Sequence, residues 1–183
     1  SMQKNFKDQY IIKETAEYSS EKRQDITYSV ATEISIPIKP LGETTIFSSA
    51  ELRFTDNKSN QNHYDVEHTK FIANFYDYNE FSLSPNIVFN FNTVPLNLQL
   101  FYNIALRKYS QRLKQDSQGE YSNEKINSIT QYVSLVLSFP LIEKLNGFVQ
   151  QNYIVSNSNM KYEQVYRYNY SAYNILIGVS FEY

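Results

Sequence analysis

The C-terminal stretch Tyr173-Asn-Ile-Leu-Ile-Gly-Val-Ser-Phe-Glu-Tyr183 decides the fold class that the sequence predicts. Its large apolar and aromatic side chains occupy every second position: Tyr173, Ile175, Ile177, Val179, Phe181 and Tyr183. Successive side chains of a β-strand point to opposite faces, so this spacing gathers the apolar side chains on one face. The stretch therefore predicts a strand with one apolar face, ending on an aromatic residue.

The same alternation recurs further upstream. It predicts strands over 28–38, 46–54, 81–91, 96–106 and 129–139, and a weaker strand over 147–155. Most of these segments are about ten residues long, whereas strands of globular proteins average about five or six. About ten residues is the length that a tilted strand needs to cross a lipid bilayer.

A further strand is predicted over 9–18, where the pattern is weaker. Glu14 falls on one of its faces and Lys13 on the other, and either charge is costly near the middle of a bilayer. Residues 69–78 also alternate, and we interpret them as the outer extension of the strand that continues to Phe91.

Short and long connections take turns along the chain. The short ones, which carry Pro or Gly, are 39–43, 93–95 and 140–146; the long polar ones are 56–62, 111–127 and the segment from 157 past 161. In an up-and-down barrel this order places every short turn at one end. The prediction is an all-β fold: an antiparallel up-and-down transmembrane β-barrel of eight strands, with short periplasmic turns and long outer loops.

The composition sets further limits. The chain has 183 residues with a net charge of −2, which suits one domain and gives no basic footprint for nucleic acid. It has no cysteine, so disulfides and thiolate metal sites are excluded. Residues 1–8 are assigned to a tag or N-terminal extension, and 9–183 to a single β-barrel domain. No cofactor or metal is predicted.

These features together resemble the bacterial outer-membrane β-barrel proteins as a class. The alternating strands, the short turns opposite long loops and the aromatic terminus carry the resemblance, which covers nearly the whole chain. It implies a place in the bacterial outer membrane, with outer-membrane lipid as one partner. It also implies that the alternating set from Tyr173 to Tyr183 is the signal read by the barrel-assembly machinery.

Charged residues on the polar faces form a predicted lumen cluster. They are Glu33, Glu51, Arg53, Arg107 and Glu182. Side chains fill the interior of an eight-stranded barrel, and buried charges must be paired. The favoured interpretation is therefore a structural plug of salt bridges, and the alternative is a small polar pathway.

The two histidines lie in one predicted outer loop, in His63-Tyr-Asp65-Val-Glu67-His68. With Ser59 as a nucleophile they could serve a lipid-modifying hydrolase or acyltransferase, since such enzymes use a His with a Ser and an acid. A metal site is a second possibility. An ordinary solvated loop is favoured over both.

Tyrosines crowd the outer ends of the strands. They are Tyr64, Tyr76, Tyr78, Tyr109, Tyr121, Tyr162, Tyr166, Tyr168, Tyr170 and Tyr173. An aromatic belt at the outer membrane interface is favoured, and a tyrosine-rich surface for an external ligand or host molecule is the alternative.

The predicted function is a structural, adhesive or interaction role through the long outer loops, and not an enzymatic one. A porin-like channel, or the C-terminal part of a larger barrel, is the first alternative. A soluble lipocalin-like barrel that holds an apolar ligand is the second, because alternation alone does not tell the inside from the outside. A lipid-modifying enzyme in the outer leaflet is the last.

Overall fold

The computed structural model describes residues 2–11, 18–163 and 166–181. Its elements are all strands: β1 (Met2–Ile11), β2 (Tyr18–Leu41), β3 (Thr44–Ser59), β4 (His63–Asp65), β5 (Lys70–Ile72), β6 (Tyr78–Phe91), β7 (Leu96–Gln115), β8 (Tyr121–Ile142), β9 (Leu145–Ser158) and β10 (Tyr170–Phe181). The predicted all-β class is confirmed. In the described part of the chain, no helix is long and apolar enough to cross a membrane.

Eight strands form one antiparallel meander. Their order is β1-β2-β3-β6-β7-β8-β9-β10, and β4 pairs with β5 as a separate hairpin. Within the described ranges, β1 and β10 are the two edges of the sheet and do not pair with each other. The strand β1 pairs with β2 only from Tyr18 to Thr27, so the remainder of β2 lacks a neighbour on that side.

The burial of the middle strands of the large sheet is inverted relative to a water-soluble protein, whereas residues 28–41 of β2 and all of β10 except Gly178 are exposed on both faces. Polar side chains of the strands are buried: Asp25, Thr55, Asn57, Ser59, Ser82, Ser134, Asn152 and Ser156. Large apolar side chains are exposed instead, among them Val30, Ile34, Ile36, Leu52, Phe54, Phe81, Leu100, Leu106, Ile129, Leu135, Ile175, Ile177, Val179 and Phe181. Every member of this second set lies on a face that alternation marks as apolar.

Hydrogen bonds between side chains join neighbouring strands across the polar face. Tyr132 of β8 donates to Asn152 Oδ1 of β9 at 2.6 Å, and Asn152 Nδ2 donates to Asn174 Oδ1 of β10 at 2.8 Å. Between β6 and β7, Asn103 Nδ2 donates to Ser84 Oγ at 2.8 Å. Because these partners replace water, the polar residues can be buried without loss of hydrogen bonds.

The sheet curls so that its polar face is concave. One cavity of about 260 Å³ is lined by Arg23 of β2 and Arg107 of β7, although β3 and β6 lie between these strands. Another, of about 300 Å³, is lined by Glu80 of β6 and Tyr170 of β10. Side chains of such distant strands meet on one side only when the sheet bends toward that side.

Two expectations about the strands require correction. The segment 69–78 is not an extension of the next strand, because Lys70–Ile72 pairs with His63–Asp65 and β6 begins only at Tyr78. The first strand was expected at 9–18, but β1 begins at Met2, within the segment set aside as an extension, and ends at Ile11. Residues 12–17, with Lys13 and Glu14, lie outside the described residues.

The turns agree with the prediction, and the long connections agree in part. Tight turns join β2 to β3 at Gly42, whose φ is +60°, and β8 to β9 at Lys144, whose φ is +67°. The predicted loop 111–127 is mostly strand, since β7 continues to Gln115 and β8 begins at Tyr121. The strands therefore continue well beyond their predicted ends on the side of the long connections.

Gly178 provides a test of packing on the concave face. A Cβ atom at Gly178 would lie 2.6 Å from Cζ of Phe148, its cross-strand partner in β9, so the phenyl ring covers the glycine. We expect Gly178→Ala to lower the free energy of unfolding by about 1–3 kcal/mol, because the ring must move. Urea unfolding followed by circular dichroism measures this.

Ser180→Ala, in the same strand and on the same face, is the matched control and should change little. Adding Phe148→Leu to Gly178→Ala should recover part of the loss. If Gly178→Ala and Ser180→Ala unfold at the same urea concentration, the close packing of Phe148 on Gly178 is contradicted.

Candidate functional site: an aromatic cavity at the outer end of the sheet

The largest described cavity lies at the end of the sheet where the long connections are. Its volume is about 780 Å³, within the range that holds small organic ligands. Its lining includes the side chains of Ile72, Ile126 and Met160, which are also the buried apolar residues of the described chain. The protein's small apolar core therefore lies in the wall of this cavity.

Seven tyrosines line the same cavity: Tyr64, Tyr76, Tyr109, Tyr121, Tyr162, Tyr166 and Tyr168. Phe75 joins them, and its ring stacks on His63 with centroids 4.5 Å apart. The favoured expectation of an outward-facing aromatic belt does not fit these residues, because they face the cavity. Tyr173 does lie on the exposed apolar face, as the belt requires.

Arg112 of β7 is the most unusual group in the cavity wall. Its side chain is buried, and its guanidinium carbon lies 4.2 Å from the ring centre of Phe75 and 4.5 Å from that of Tyr109. Nη2 donates a hydrogen bond to the hydroxyl of Tyr168. Nε is buried and has no hydrogen-bond partner among the described residues.

A bulge in β7 directs Arg112 inward. Lys108 pairs with Asn127 of β8, and the next paired row is Leu113 with Lys125, so β7 contains extra residues between the two rows. Strict alternation would place Arg112 on the apolar face, with Lys108. The extra residues of the bulge shift the alternation of side chains between the two faces, so Arg112 points to the polar face. Bulges are known to redirect side chains in this way. Because alternation is broken here, the sequence analysis did not find Arg112.

The hairpin β4–β5 covers one side of the cavity and is fastened by Asp65. The hydroxyl of Tyr121 donates to Asp65 Oδ2 at 2.7 Å, and His68 Nδ1 lies 3.0 Å from the same oxygen. Lys70 places its ammonium 4.5 Å from the ring centre of Tyr121. These contacts join the hairpin to the first residue of β8.

Burial and hydrogen bonding set the ionisation of this cluster. Burial opposes the charge of Asp65, but the hydrogen bonds from Tyr121 and from His68 outweigh burial, so the pKa of Asp65 lies below its usual value. Burial and the neighbouring Asp65 carboxylate both raise the pKa of Tyr121. Burial lowers the pKa of His63. At neutral pH the cluster therefore holds an anionic Asp65 and a neutral Tyr121.

Two ion pairs lie on the concave face, and Arg107 of one of them also lines the cavity. Arg107 directs Nε and Nη2 to Glu80 Oε2 at 2.7 and 2.6 Å, and Glu80 is its cross-strand partner in β6. Arg23 binds Asp25 through two hydrogen bonds of 3.0 and 2.6 Å. The sequence analysis did not name Glu80, Arg23 or Asp25, although all of them lie on alternating polar positions.

The residues of the predicted lumen cluster lie in two separate groups. Glu51 and Arg53 form a salt bridge along β3, with Nη2 2.9 Å from Oε2, and Glu33 lies opposite Glu51 in β2. Arg107 lies further toward the outer end, paired with Glu80. Glu182 falls outside the described residues, as does Tyr183 of the C-terminal set.

The predicted loop cluster is assembled only in part. Asp65 and His68 are in contact, and Glu67 donates its backbone N–H to Asp65 Oδ1 at 3.0 Å. Ser59 instead donates its hydroxyl to Asp25 at 2.6 Å, so its described contacts do not join it to a histidine. In the described ranges, no group of three or more His, Asp or Glu side chains has the arrangement of a metal site.

Comparison with known proteins gives no relative: no family model, no curated protein and no solved structure matches the chain. The burial pattern of the sheet and the lining of the cavity are therefore the basis for assigning a function.

Tyr121→Phe tests the attachment of the hairpin. This change removes the hydrogen bond to an ionised Asp65, which is worth about 1.5–3 kcal/mol. We expect amide hydrogen exchange across His63–Ile72 to become at least about tenfold faster. Tyr64→Phe is the control, because the hydroxyl of Tyr64 makes no described hydrogen bond. Equal exchange in both variants would contradict the role of Tyr121.

The ionisation of Asp65 tests the same contact independently. Because its folded-state pKa is depressed, Asp65 stabilises the hairpin above its unfolded pKa, and this contribution is lost as the pH falls through the folded value. Titration of the ¹³Cγ resonance should place the midpoint below the usual aspartate value of about 3.9. Tyr121→Phe should raise the midpoint. A normal midpoint in the unchanged protein would contradict the geometry.

Proposed function

We propose that the protein is a small outer-membrane β-protein whose exposed apolar face contacts lipid and whose outer cavity binds a ligand from outside the cell. The observation that carries this proposal is the inverted burial of the sheet. Phe81 and Leu135 are 46% and 37% exposed, while their sequence neighbours Ser82 and Ser134, on the opposite face of the same strands, are 7% and 5% exposed. In water this arrangement would be unstable, because burial of apolar surface is the main force that favours folding.

The dimensions of the apolar face support the same proposal. On the apolar face of β2, exposed apolar residues run from Tyr28 to Ile38, and on that of β8 they begin at Ile129. Such segments are about the length of a membrane-crossing strand. On the side of the long connections, the strands continue past this region into a polar part that carries Lys58, Lys108 and Lys125.

The burial pattern also favours a lipid-facing sheet over the lipocalin-like alternative. An apolar ligand inside a soluble barrel needs apolar side chains on the concave face. Here that face carries hydrogen-bonded Asn, Gln, Ser and Thr along most of the strands. A cavity of about 780 Å³ with a mainly apolar wall lies instead at the outer end, among the connections.

An interaction role follows from what the long connections build. They close around one aromatic cavity, and contacts such as Tyr121 to Asp65 hold the hairpin in place. A loop that only contacts solvent does not require hydrogen bonds that hold it in one position. We therefore assign the interaction to this cavity. Ser59, the candidate nucleophile of a hydrolase, donates its hydroxyl to Asp25 rather than to a histidine, so its described contacts do not support the enzyme alternative.

A second candidate is a channel or part of a larger barrel. The observation that favours it is the pair of edges: among the described residues, β10 pairs only with β9, and β2 pairs only with β3 from Tyr28 to Leu41. Additional strands could pair with both edges and widen the barrel. Single-channel recording on the refolded protein tests this candidate, and the absence of conductance would count against it.

Substitution by arginine at two depths tests the lipid-facing assignment. Leu135 is exposed near the middle of β8, and Asn127 lies on the same face near the outer end. In lipid vesicles, Leu135→Arg should lower the free energy of unfolding by about 2–4 kcal/mol and Asn127→Arg by about 0–1 kcal/mol. The difference arises because only the first site lies at the depth of the hydrocarbon core.

The readout is urea unfolding in vesicles, together with the mobility shift on boiling that a folded barrel shows in SDS gels. If both arginine variants are equally stable, or if the protein folds fully in buffer without lipid or detergent, the proposal is wrong.

A further inference from the structure

Arg112 has no compensating negative charge in the described structure. No carboxylate of the described residues lies within salt-bridge distance of its guanidinium, and its Nε lacks a hydrogen-bond acceptor. Its side chain is nevertheless only 9% exposed. Burial of an unpaired guanidinium is costly, since the charge loses its hydration.

The acids near Arg112 do not pair with it in the described structure. Glu67 also lines the cavity, but no described salt bridge joins it to Arg112. Asp65 binds Tyr121 and His68, and Glu80 binds Arg107 with both hydrogen bonds on one oxygen. Arg107 is therefore neutralised, whereas Arg112 is not. The aromatic rings of Phe75 and Tyr109 offset part of the cost through cation–π contacts. They do not provide an acceptor for Nε.

The cavity wall around Arg112 has a second, apolar part. Ile72, Ile126 and Met160 are buried in it, and Leu113 adjoins them in β7. A ligand that fits this wall combines an anionic group for the guanidinium with an apolar or aromatic body for the remaining surface. The tyrosine rings suit a flat body, because aromatic groups stack on or meet the edges of such rings.

We propose that this cavity is a binding site for small amphipathic carboxylates, with Arg112 binding the carboxylate and the apolar wall holding an aromatic or alicyclic body. This inference deepens the proposed function, since it depends on the outer cavity being the interaction site. The carboxylate accepts hydrogen bonds from the N–H groups of the Arg112 guanidinium, whose planar arrangement suits a carboxylate. The volume of about 780 Å³ admits a body of two or three fused rings.

The test is isothermal titration of the refolded protein in lipid nanodiscs with 2-naphthoate and with uncharged 2-naphthamide. The two probes share their ring system and differ in charge, and empty nanodiscs give the blank for partition into lipid. We expect naphthoate to bind at least about tenfold more tightly than the amide.

Three variants make the test specific. Arg112→Gln should remove the preference for naphthoate, and Arg112→Lys should retain part of it, because the charge remains while the planar fork is lost. Arg53→Gln is the control: Arg53 carries the same charge but lies on β3, paired with Glu51 and outside this cavity. It should bind both probes as the unchanged protein does.

Equal affinity for the two probes, no binding of either, or an unchanged preference in Arg112→Gln would overturn the inference. Failure of the proposed function gives a different result from failure of this inference. If the proposed function is wrong, the protein folds without lipid or detergent, and this is detected before the titration. In that case the same titration is run in buffer, so the carboxylate site is tested under either outcome.

Discussion

Hydrogen bonding between side chains on the concave face is the interaction on which the rest of the structure depends. Tyr132, Asn152 and Asn174 join three consecutive strands, and Ser84 with Asn103 joins another pair. These bonds make it possible to bury amide and hydroxyl groups that would otherwise require water. Once the polar face is turned inward, every apolar row is turned outward, because the period of a strand is two.

The outward apolar rows then determine where the protein can be stable. An apolar surface of this extent is far larger than the exposed patches of soluble monomers. Lipid contact, as proposed, removes this surface from water without a conventional core. The buried apolar residues that the structure does describe, Ile72, Ile126 and Met160, are confined to the outer end. The strands are thus stabilised by polar networks and, as proposed, by lipid, whereas the outer cavity is stabilised by a small aromatic and aliphatic core.

Sequence periodicity predicted most strands of the sheet because it records a property of single strands. The predicted closure into a barrel is not seen in the described residues, where β1 and β10 do not pair. Periodicity located the strands that became β2, β3 and β6 to β10, assigned their faces and found the tight turns. It was wrong at 69–78, where Phe71 alternates as in a strand but pairs with Tyr64 of a local hairpin. Pairing partners are set by tertiary contacts, and alternation does not specify them.

The candidate site was missed for a related reason. Arg112 enters the cavity only because a bulge in β7 changes the phase of alternation after Lys108, and no local signal in the sequence marks that bulge. The tyrosines were recognised as a group, yet their inward direction depends on the curl of the sheet. The cavity is therefore a property of the assembled outer end. Among the described residues, Arg112 is buried in the cavity wall without a counter-charge, which is costly, whereas Arg23, Arg53 and Arg107 are all paired with carboxylates. That contrast is the reason to place ligand recognition at Arg112 rather than at these ion pairs.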